Sequence, residues 1–285
     1  MKDILSDYFE YISIPKNFDK EAISKNVNSL REEFVKQAKE WNKELNSQWV
    51  ARDYIAVKMI LSSSILLSSV GFANEKNLRI VEPYLIYYSL LSCSRAVVLT
   101  SPFHLWNNGK IMTMAHQKTI NIVGDIISHY NKEIGEEIKG FIDWAREYRE
   151  IFSYKIPANG LTKHHLSLAR TLDICTLLCE IAQLQSVILE QSITKHVKQG
   201  FDLDWNILSV GCEYGGKNFK FIDSEDGYRL GYITRKQNRP YSLRSTMTEG
   251  MIEDFFGAWC SKDEDADLDE VFNPDANWQI IFPVP

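Results

Sequence analysis

The feature that most constrains this chain is an apolar stretch over residues 55–73, long enough to cross a bilayer as a helix. Lys58 and the serines at positions 62, 63, 64, 68 and 69 interrupt it, and Arg52 precedes it closely. Each polar group would need a partner in hydrocarbon, whereas small serine side chains allow helices to approach closely inside a soluble bundle. The stretch therefore predicts a buried core helix and no membrane association.

From about residue 20 to residue 200, apolar residues recur at steps of three and four, the spacing of one helix face. The pattern predicts helices over about 28–45, 50–70, 83–99, 111–131, 134–152 and 162–200. Gly71 is expected to end the second helix, and Pro83 to begin the third. Short loops favour antiparallel neighbours, so residues 1–200 predict a multi-helix bundle.

The pattern changes after Gly200. Residues 217–222 and 228–234 alternate between apolar and polar side chains around a turn that contains Gly227, which predicts a β-hairpin. A short helix is expected over residues 248–259, and a final strand near 278–282. The predicted fold class is therefore mainly α, with residues 201–285 forming a small α/β appendage on the bundle.

Positive charge concentrates in residues 229–244, which hold five basic residues and no acid. Interleaved tyrosines suit contact with backbone phosphates and stacking on bases. The candidate residues for binding nucleic acid or a protein partner are Arg229, Arg235, Lys236, Arg239, Arg244, Tyr232 and Tyr241. A second basic-aromatic patch, with Arg146 and Arg149, is interpreted either as a surface of this kind or as basic residues complementing a helix C-terminus.

The net charge of −6 belongs to the last part of the sequence, because residues 262–285 hold seven acids and the single base Lys262. An overall acidic chain is not a general binder of nucleic acid, but the sum hides this local contrast. The acidic run over residues 262–270 is either a solvated surface or a regulatory segment that folds back on the basic residues.

The densest polar cluster surrounds the connection between the third and fourth predicted helices. It comprises Ser94, Arg95, His104, Asn107, Asn108, Lys110, His116, Lys118 and Asn121. Arg95 lies in an otherwise apolar helix, where a charge needs a partner or solvent. A metal-independent ribonuclease would use such a set, with His104 or His116 moving the proton of a 2′-hydroxyl and Arg95 stabilising the phosphorane. The alternative is that Arg95 pairs with a buried carboxylate while the histidines cap loops.

Residues 38–41, 84–98 and 109–116 resemble YaaC-like proteins, which are similar in turn to the HEPN superfamily of prokaryotic helical proteins. The resemblance covers about residues 28–200 and implies a HEPN-like bundle, a homodimer, and a role as a toxin, an antiviral effector or the partner of one. Catalytic members carry an arginine, then a polar residue, with a histidine shortly after. This sequence departs from that rule, because eight residues separate Arg95 from His104, and Lys110 takes the arginine's place before His116.

Two functions therefore remain open. The first is a partner-binding subunit, regulatory or effector, of a bacterial defence, toxin–antitoxin or stress system, which binds a protein and also RNA or DNA. The second is a HEPN-like, metal-independent endoribonuclease. Neither requires a metal or an organic cofactor. The five cysteines form no Cys-x-x-Cys pair, and no secretory signal is visible, so a cytoplasmic protein with free thiols is expected.

Overall fold

The computed structural model describes residues 9–156, 158, 166–209, 211–214, 217–236, 238–263, 267 and 270–284. Within these ranges the chain is mainly helical, and its helices surround one continuous hydrophobic core. The predicted mainly α, multi-helix bundle is confirmed at this level.

Eleven α-helices and two short β-strands lie within the described ranges. The helices are α1 (Ser13–Asn17), α2 (Lys20–Lys39), α3 (Lys43–Glu75), α4 (Glu82–Thr100), α5 (His116–Ser128), α6 (Lys132–Tyr154), α7 (Leu168–His196), α8 (Trp205–Leu208), α9 (Ser224–Lys236), α10 (Leu243–Thr246) and α11 (Glu249–Gly257). The strands are β1 (Gly211–Tyr214) and β2 (Lys217–Lys220), and short 3₁₀ turns cover Lys110–Thr113 and Pro274–Asn277.

The centre of the bundle is formed by α3, α4 and α7. Residues 55–73 lie within α3, and most of them are buried, as predicted for a core helix. By length and composition α3 and α7 are apolar enough to cross a membrane, and 56% of the most apolar window of α3 and 83% of that of α7 are buried inside the bundle. The position of α7 between other helices accounts for its apolar composition.

Small side chains line the seam where α3, α4 and α7 meet. Ser63 donates a hydrogen bond to the carbonyl oxygen of Ser89 at 3.1 Å. The Cys93 sulfur lies 3.2 Å from Ser63 Oγ and 3.6 Å from the sulfur of Cys179, and both cysteines are free and buried. Small side chains allow the three backbones to approach closely, which is the role predicted for the serines of α3.

The helix predicted over residues 28–45 is divided in two. It begins earlier, at Lys20, because the side chain of Asp19 caps the first turn. The Asn42 side chain accepts a hydrogen bond from the backbone nitrogen of Leu45 and starts α3, so Leu45 belongs to the second helix. The helix predicted over residues 111–131 is also divided, since the extended backbone of Met114 separates a 3₁₀ turn from α5.

The prediction that Gly71 ends the second helix is wrong, because α3 continues to Glu75. Asn77, with a φ of 57°, takes the left-handed position that the sequence assigned to glycine. The backbone nitrogen of Leu78 donates to the carbonyl oxygen of Ala73 at 2.7 Å, which completes a Schellman motif. Asparagine tolerates this conformation better than other non-glycine residues.

The predicted hairpin between residues 217–222 and 228–234 is wrong. Strand β2 pairs with β1 in an antiparallel register that places Gly211 opposite Lys220. Residues 228–234 lie in α9, which begins where the Asp223 side chain accepts a hydrogen bond from the backbone nitrogen of Asp226 at 3.0 Å. This cap overrides the alternating pattern of side chains.

Helix α9 is fixed to the bundle by a buried carboxylate. Asp226 accepts hydrogen bonds from the Tyr54 hydroxyl at 2.9 Å and from Lys58 Nζ at 2.5 Å, both on α3. Lys58 also donates to the carbonyl oxygen of Phe221 at 3.0 Å. The lysine that interrupts the apolar stretch of α3 therefore has partners, which offset part of the cost of desolvating its charge.

The C-terminal part of the chain packs on α3 and α7 and shares the hydrophobic core of the bundle. The short helix predicted over residues 248–259 is confirmed as α11. The final strand predicted over residues 278–282 is wrong, because these residues form turns and bends after a 3₁₀ turn. Phe282 instead packs its ring against that of Phe9, with centroids 5.1 Å apart.

Gly71→Ala tests the corrected boundary of α3, and Gly135→Ala provides a contrast at a helix position that has no room for a side chain. Gly71→Ala is expected to raise the free energy of unfolding by about 0.5–1 kcal/mol, since alanine favours a helix and no atom lies within 4 Å of the added Cβ. Gly135→Ala, in α6, should lower it by roughly 1–3 kcal/mol, because its Cβ would lie 2.7 Å from the backbone nitrogen of Ser128. Urea unfolding followed by circular dichroism measures both, and a destabilising Gly71→Ala would contradict a helical Gly71.

Candidate functional site

The candidate site begins with Arg95, a partly buried arginine on α4. Its guanidinium has no hydrogen bond or ion pair with any residue in the described ranges, and its Nε is buried. Burial also lowers the pKa of Arg95, which reports the cost of holding a charge there. The alternative prediction was that Arg95 pairs with a buried carboxylate. No carboxylate in the described ranges forms such a pair with it.

Arg52 is a buried arginine whose charge is compensated by contacts with neighbouring groups. Arg52 donates to the carbonyl oxygens of Leu99 and Ser101, each at 2.6 Å, and its guanidinium lies 3.8 Å from the centre of the Trp49 ring. These contacts satisfy the C-terminal carbonyls of α4. Even so, burial lowers the pKa of Arg52 to about 9. Arg95 has no equivalent set of acceptors among the described residues.

His116 lies beside Arg95 and is the first residue of α5. Its Nδ1 lies 2.8 Å from the hydroxyl of Tyr87, a buried residue on α4. The ring of Tyr88 stands perpendicular to the imidazole, with centroids 6.2 Å apart. The two tyrosines therefore fix the position of the histidine ring.

Two further arginines reach this place from α6, where Arg146 and Arg149 are three residues apart on neighbouring positions of one face. Arg149 lies 5.2 Å from the centre of the Tyr87 ring and 3.2 Å from Glu150, while Arg146 bonds to Gln117. The Nε atoms of both are nevertheless buried without a hydrogen-bond partner in the described ranges. We call Tyr87, Tyr88, Arg95, His116, Arg146 and Arg149 the arginine–histidine site.

The electrostatics of the site keep its histidine neutral. Burial lowers the pKa of His116, and the charges of Arg95, Arg149 and Arg146 lower it further. Burial raises the pKa of Tyr87 to about 12, although the same three arginines oppose the shift. At neutral pH the site thus combines a neutral imidazole, an un-ionised phenol and three guanidinium groups.

This arrangement suits an anion with several oxygen acceptors. Guanidinium groups bind phosphate through paired N–H donors, and the Nε–H groups of Arg95, Arg146 and Arg149 are buried without a hydrogen-bond partner in the described ranges. A neutral histidine is ready to accept a proton. The part of the chain that the structure describes contains no group of three His, Cys, Asp or Glu side chains suited to a metal ion.

The structure brings together some predicted residues and separates others. Arg95 and His116 share the arginine–histidine site. His104 lies instead against a cavity of about 360 Å³ with Phe103, Tyr130 and Gln185, where burial and the charges of Arg52 and Lys118 lower its pKa. The two histidines that the sequence predicted together, His104 and His116, therefore contact different neighbours.

Tyr87 and Tyr88 are members of the site that sequence reasoning did not select. The sequence pattern places them in an apolar helix, where two tyrosines seven and eight residues before an arginine lie two turns away from it on adjoining faces. The sequence also indicates a basic-aromatic patch with Arg146 and Arg149, but helix periodicity alone does not show which helix this patch faces.

The residues of the predicted basic segment lie on α9, in the loop that follows it and on α10. Arg229 pairs with Asp254 at 3.3 Å and lies 3.9 Å from Asp226, so its charge is balanced. Arg235 is exposed at the end of α9, 5.8 Å from the ring centre of Tyr232. The other predicted residues are Lys236, the last residue of α9, Arg239 and Tyr241, both partly exposed in the loop that follows, and Arg244 in α10.

Of the acidic run over residues 262–270, residues 262, 263, 267 and 270 are described and exposed. Residues 264–266 and 268–269 lie outside the described ranges, so the choice between a solvated and a regulatory segment stays a prediction.

Comparison of the chain with protein-family models, with curated proteins and with solved structures gave no match.

The cost of the unpartnered Arg95 is measurable. Arg95→Met is expected to leave the free energy of unfolding unchanged or to raise it by about 1 kcal/mol, because the charge has no partner to lose. Arg52→Met is the matched control and should lower it by roughly 2–5 kcal/mol, since two backbone carbonyls lose their donor. Urea unfolding of the two variants measures the difference, and equal losses would contradict an uncompensated Arg95.

The lowered pKa of His116 predicts a dependence of stability on pH. A histidine whose pKa is lower in the folded state binds its proton more readily when unfolded, so its contribution is complete above about pH 6.5 and is lost as the pH falls. Unfolding by urea at a series of pH values should show stability decreasing with acidity. His116→Gln should make this decrease smaller, and an unchanged slope would contradict the buried, neutral histidine.

Proposed function

We propose that the arginine–histidine site cleaves RNA without a metal ion. The observation that carries the proposal is the unpartnered guanidinium of Arg95 beside a neutral His116, with Arg146 and Arg149 converging on the same place. Proteins rarely keep a half-buried charge without a partner, and a bound phosphodiester would supply that partner.

His116 would act as the general base. When its Nδ1–H donates to the Tyr87 oxygen, its Nε2 carries the lone pair that accepts the proton of a 2′-hydroxyl. The freed 2′-oxygen attacks the adjacent phosphorus, and the bond to the 5′-oxygen breaks. The products are a 2′,3′-cyclic phosphate and a 5′-hydroxyl, whose proton comes from a water molecule, and His116 returns its proton to the hydroxide that this water becomes.

The arginines would stabilise the phosphorane formed in this step. Charge accumulates on the non-bridging oxygens, and a guanidinium that has no other partner is not drawn away from them. Arg95 is the foremost candidate, because Arg146 and Arg149 also contact acidic side chains, Asp143 and Glu150. Because the spacing of Arg95 and His116 departs from that of catalytic HEPN members, the proposal rests on the placement of these two residues on α4 and α5 and not on the resemblance.

A second candidate function is a partner-binding subunit of a bacterial defence, toxin–antitoxin or stress system. It is favoured by the loop after α4, where Phe103 and Leu105 expose 54% and 82% of their surfaces. In this function the exposed Arg235 at the end of α9 would add a contact to RNA or DNA. A HEPN-like fold, a YaaC-like relationship, an α/β appendage, a cytoplasmic location and a homodimer remain predictions of both functions.

The purified protein should cleave a labelled single-stranded RNA in the presence of EDTA and leave a 2′,3′-cyclic phosphate. Arg95→Ala and His116→Ala should each lower kcat by roughly 10²–10⁴-fold, because each removes a group that acts on the reacting atoms. An RNA with 2′-O-methyl groups should resist cleavage, since it lacks the nucleophile.

Lys36→Ala, which removes a basic side chain that is 71% exposed on α2 and lies outside the site, is the matched control and should retain the rate. Equal activity of the wild type, Arg95→Ala and His116→Ala would contradict cleavage by the arginine–histidine site. Binding of RNA or of a protein without cleavage by the folded wild type would instead favour the partner-binding function.

A further inference from the structure

We infer that the open stripe of α4, made of Tyr84, Tyr88, Ser92 and Arg95, is a track for single-stranded RNA. In it the two tyrosines stack on unpaired bases while Arg95 holds a phosphate. The inference rests on the proposed function and adds the form of the substrate, an unpaired strand whose bases are recognised by their faces.

The track follows from which residues of α4 reach solvent. Between residues 84 and 95 the buried positions are Ile86, Tyr87, Ser89, Leu90, Leu91, Cys93 and Ser94. The positions that are not buried are Leu85 and the four members of the stripe. The four members follow one another along the sequence at steps of four, four and three. Such spacing places them in one line along the helix, about 16 Å long.

Tyr88 is the central residue of this line. It exposes 38% of its surface on a helix that is otherwise largely buried. Its ring is held on two sides, by Tyr87 with centroids 5.2 Å apart and by His116 with centroids 6.2 Å apart. A ring fixed in this way loses little freedom when a base stacks on its open part, which favours binding.

The order of groups along the track matches that of a nucleic acid strand. Tyr88 and Arg95 are seven residues apart, so an aromatic ring and an unpartnered guanidinium lie two turns apart on the same face, with Ser92 between them. A single strand offers bases and phosphates at alternating positions, and stacking accepts any base. In a duplex the bases are stacked on each other, so their faces are closed to tyrosine.

The test uses fluorescence anisotropy with a labelled 2′-O-methyl oligoribonucleotide, which binds without being cleaved, and an abasic strand with the same backbone. The wild type should bind the strand with bases more tightly. Tyr88→Leu should weaken that binding roughly tenfold, the value of one base–aromatic stack, and leave binding of the abasic strand unchanged. Tyr88→Phe should retain the wild-type affinity, because the ring is kept.

Trp259→Leu, which removes an aromatic side chain that is 61% exposed after α11, is the matched control and should bind as the wild type does. Equal affinity for the two strands, or tighter binding of a duplex, would overturn the track. The proposed function would then still stand if Arg95→Ala weakened binding of both strands. Failure of the wild type to bind either strand at low salt would overturn both proposals.

Discussion

The fold depends on the close approach of α3, α4 and α7 at a seam of small side chains. Ser63, Ser89, Cys93 and Cys179 bring three backbones together and bury α4 on nearly every side. Large side chains in the seam would separate the helices and open the core. One consequence is that α4 reaches solvent along a single stripe, so any polar residue of α4 that is not in the core is directed to one surface.

That surface carries a charge that the fold does not neutralise. Arg52 and Lys58 are buried or half-buried on α3, and each is bonded to acceptors that the fold provides. Arg95 on α4 has none among the described residues, and Arg146 and Arg149 bring two more guanidinium groups to it. A site that is destabilised on its own and stabilised by an anion is the usual compromise of a functional site between stability and activity. The same site contains His116, whose pKa is lowered by burial and by the charges of these arginines.

Much of the bundle could be predicted from the sequence because helix periodicity and apolar content report burial directly. The core position of residues 55–73, the helix beginning near Pro83 and the free buried thiols are examples. The incorrect predictions of helix ends and of the hairpin are explained by local side-chain contacts, which the pattern of apolar residues does not show. Asn77 ended α3 in place of Gly71, and the Asp223 cap turned an alternating segment into α9.

The candidate site shows the same division. The unusual position of Arg95 in an apolar helix was readable from the sequence, and so was His116 as a candidate. The separation of His104 was not, because loop length does not say which neighbour a histidine meets. Tyr87, Arg146 and Arg149 belong to different helices or to a buried face, and only the packing of α4 against α5 and α6 joins them.

The central claim is that the Nε–H groups of three arginines form a phosphate-binding site. Nitrogen-15 NMR of the arginine side chains, with Arg95, Arg146 and Arg149 assigned by single substitution to lysine, tests it directly. Titration with a 3′-nucleoside monophosphate should shift all three Nε–H resonances together and slow their exchange with water, while the resonance of Arg235 stays in place. If Arg95 does not respond, or if all exposed arginines respond alike, the account is contradicted.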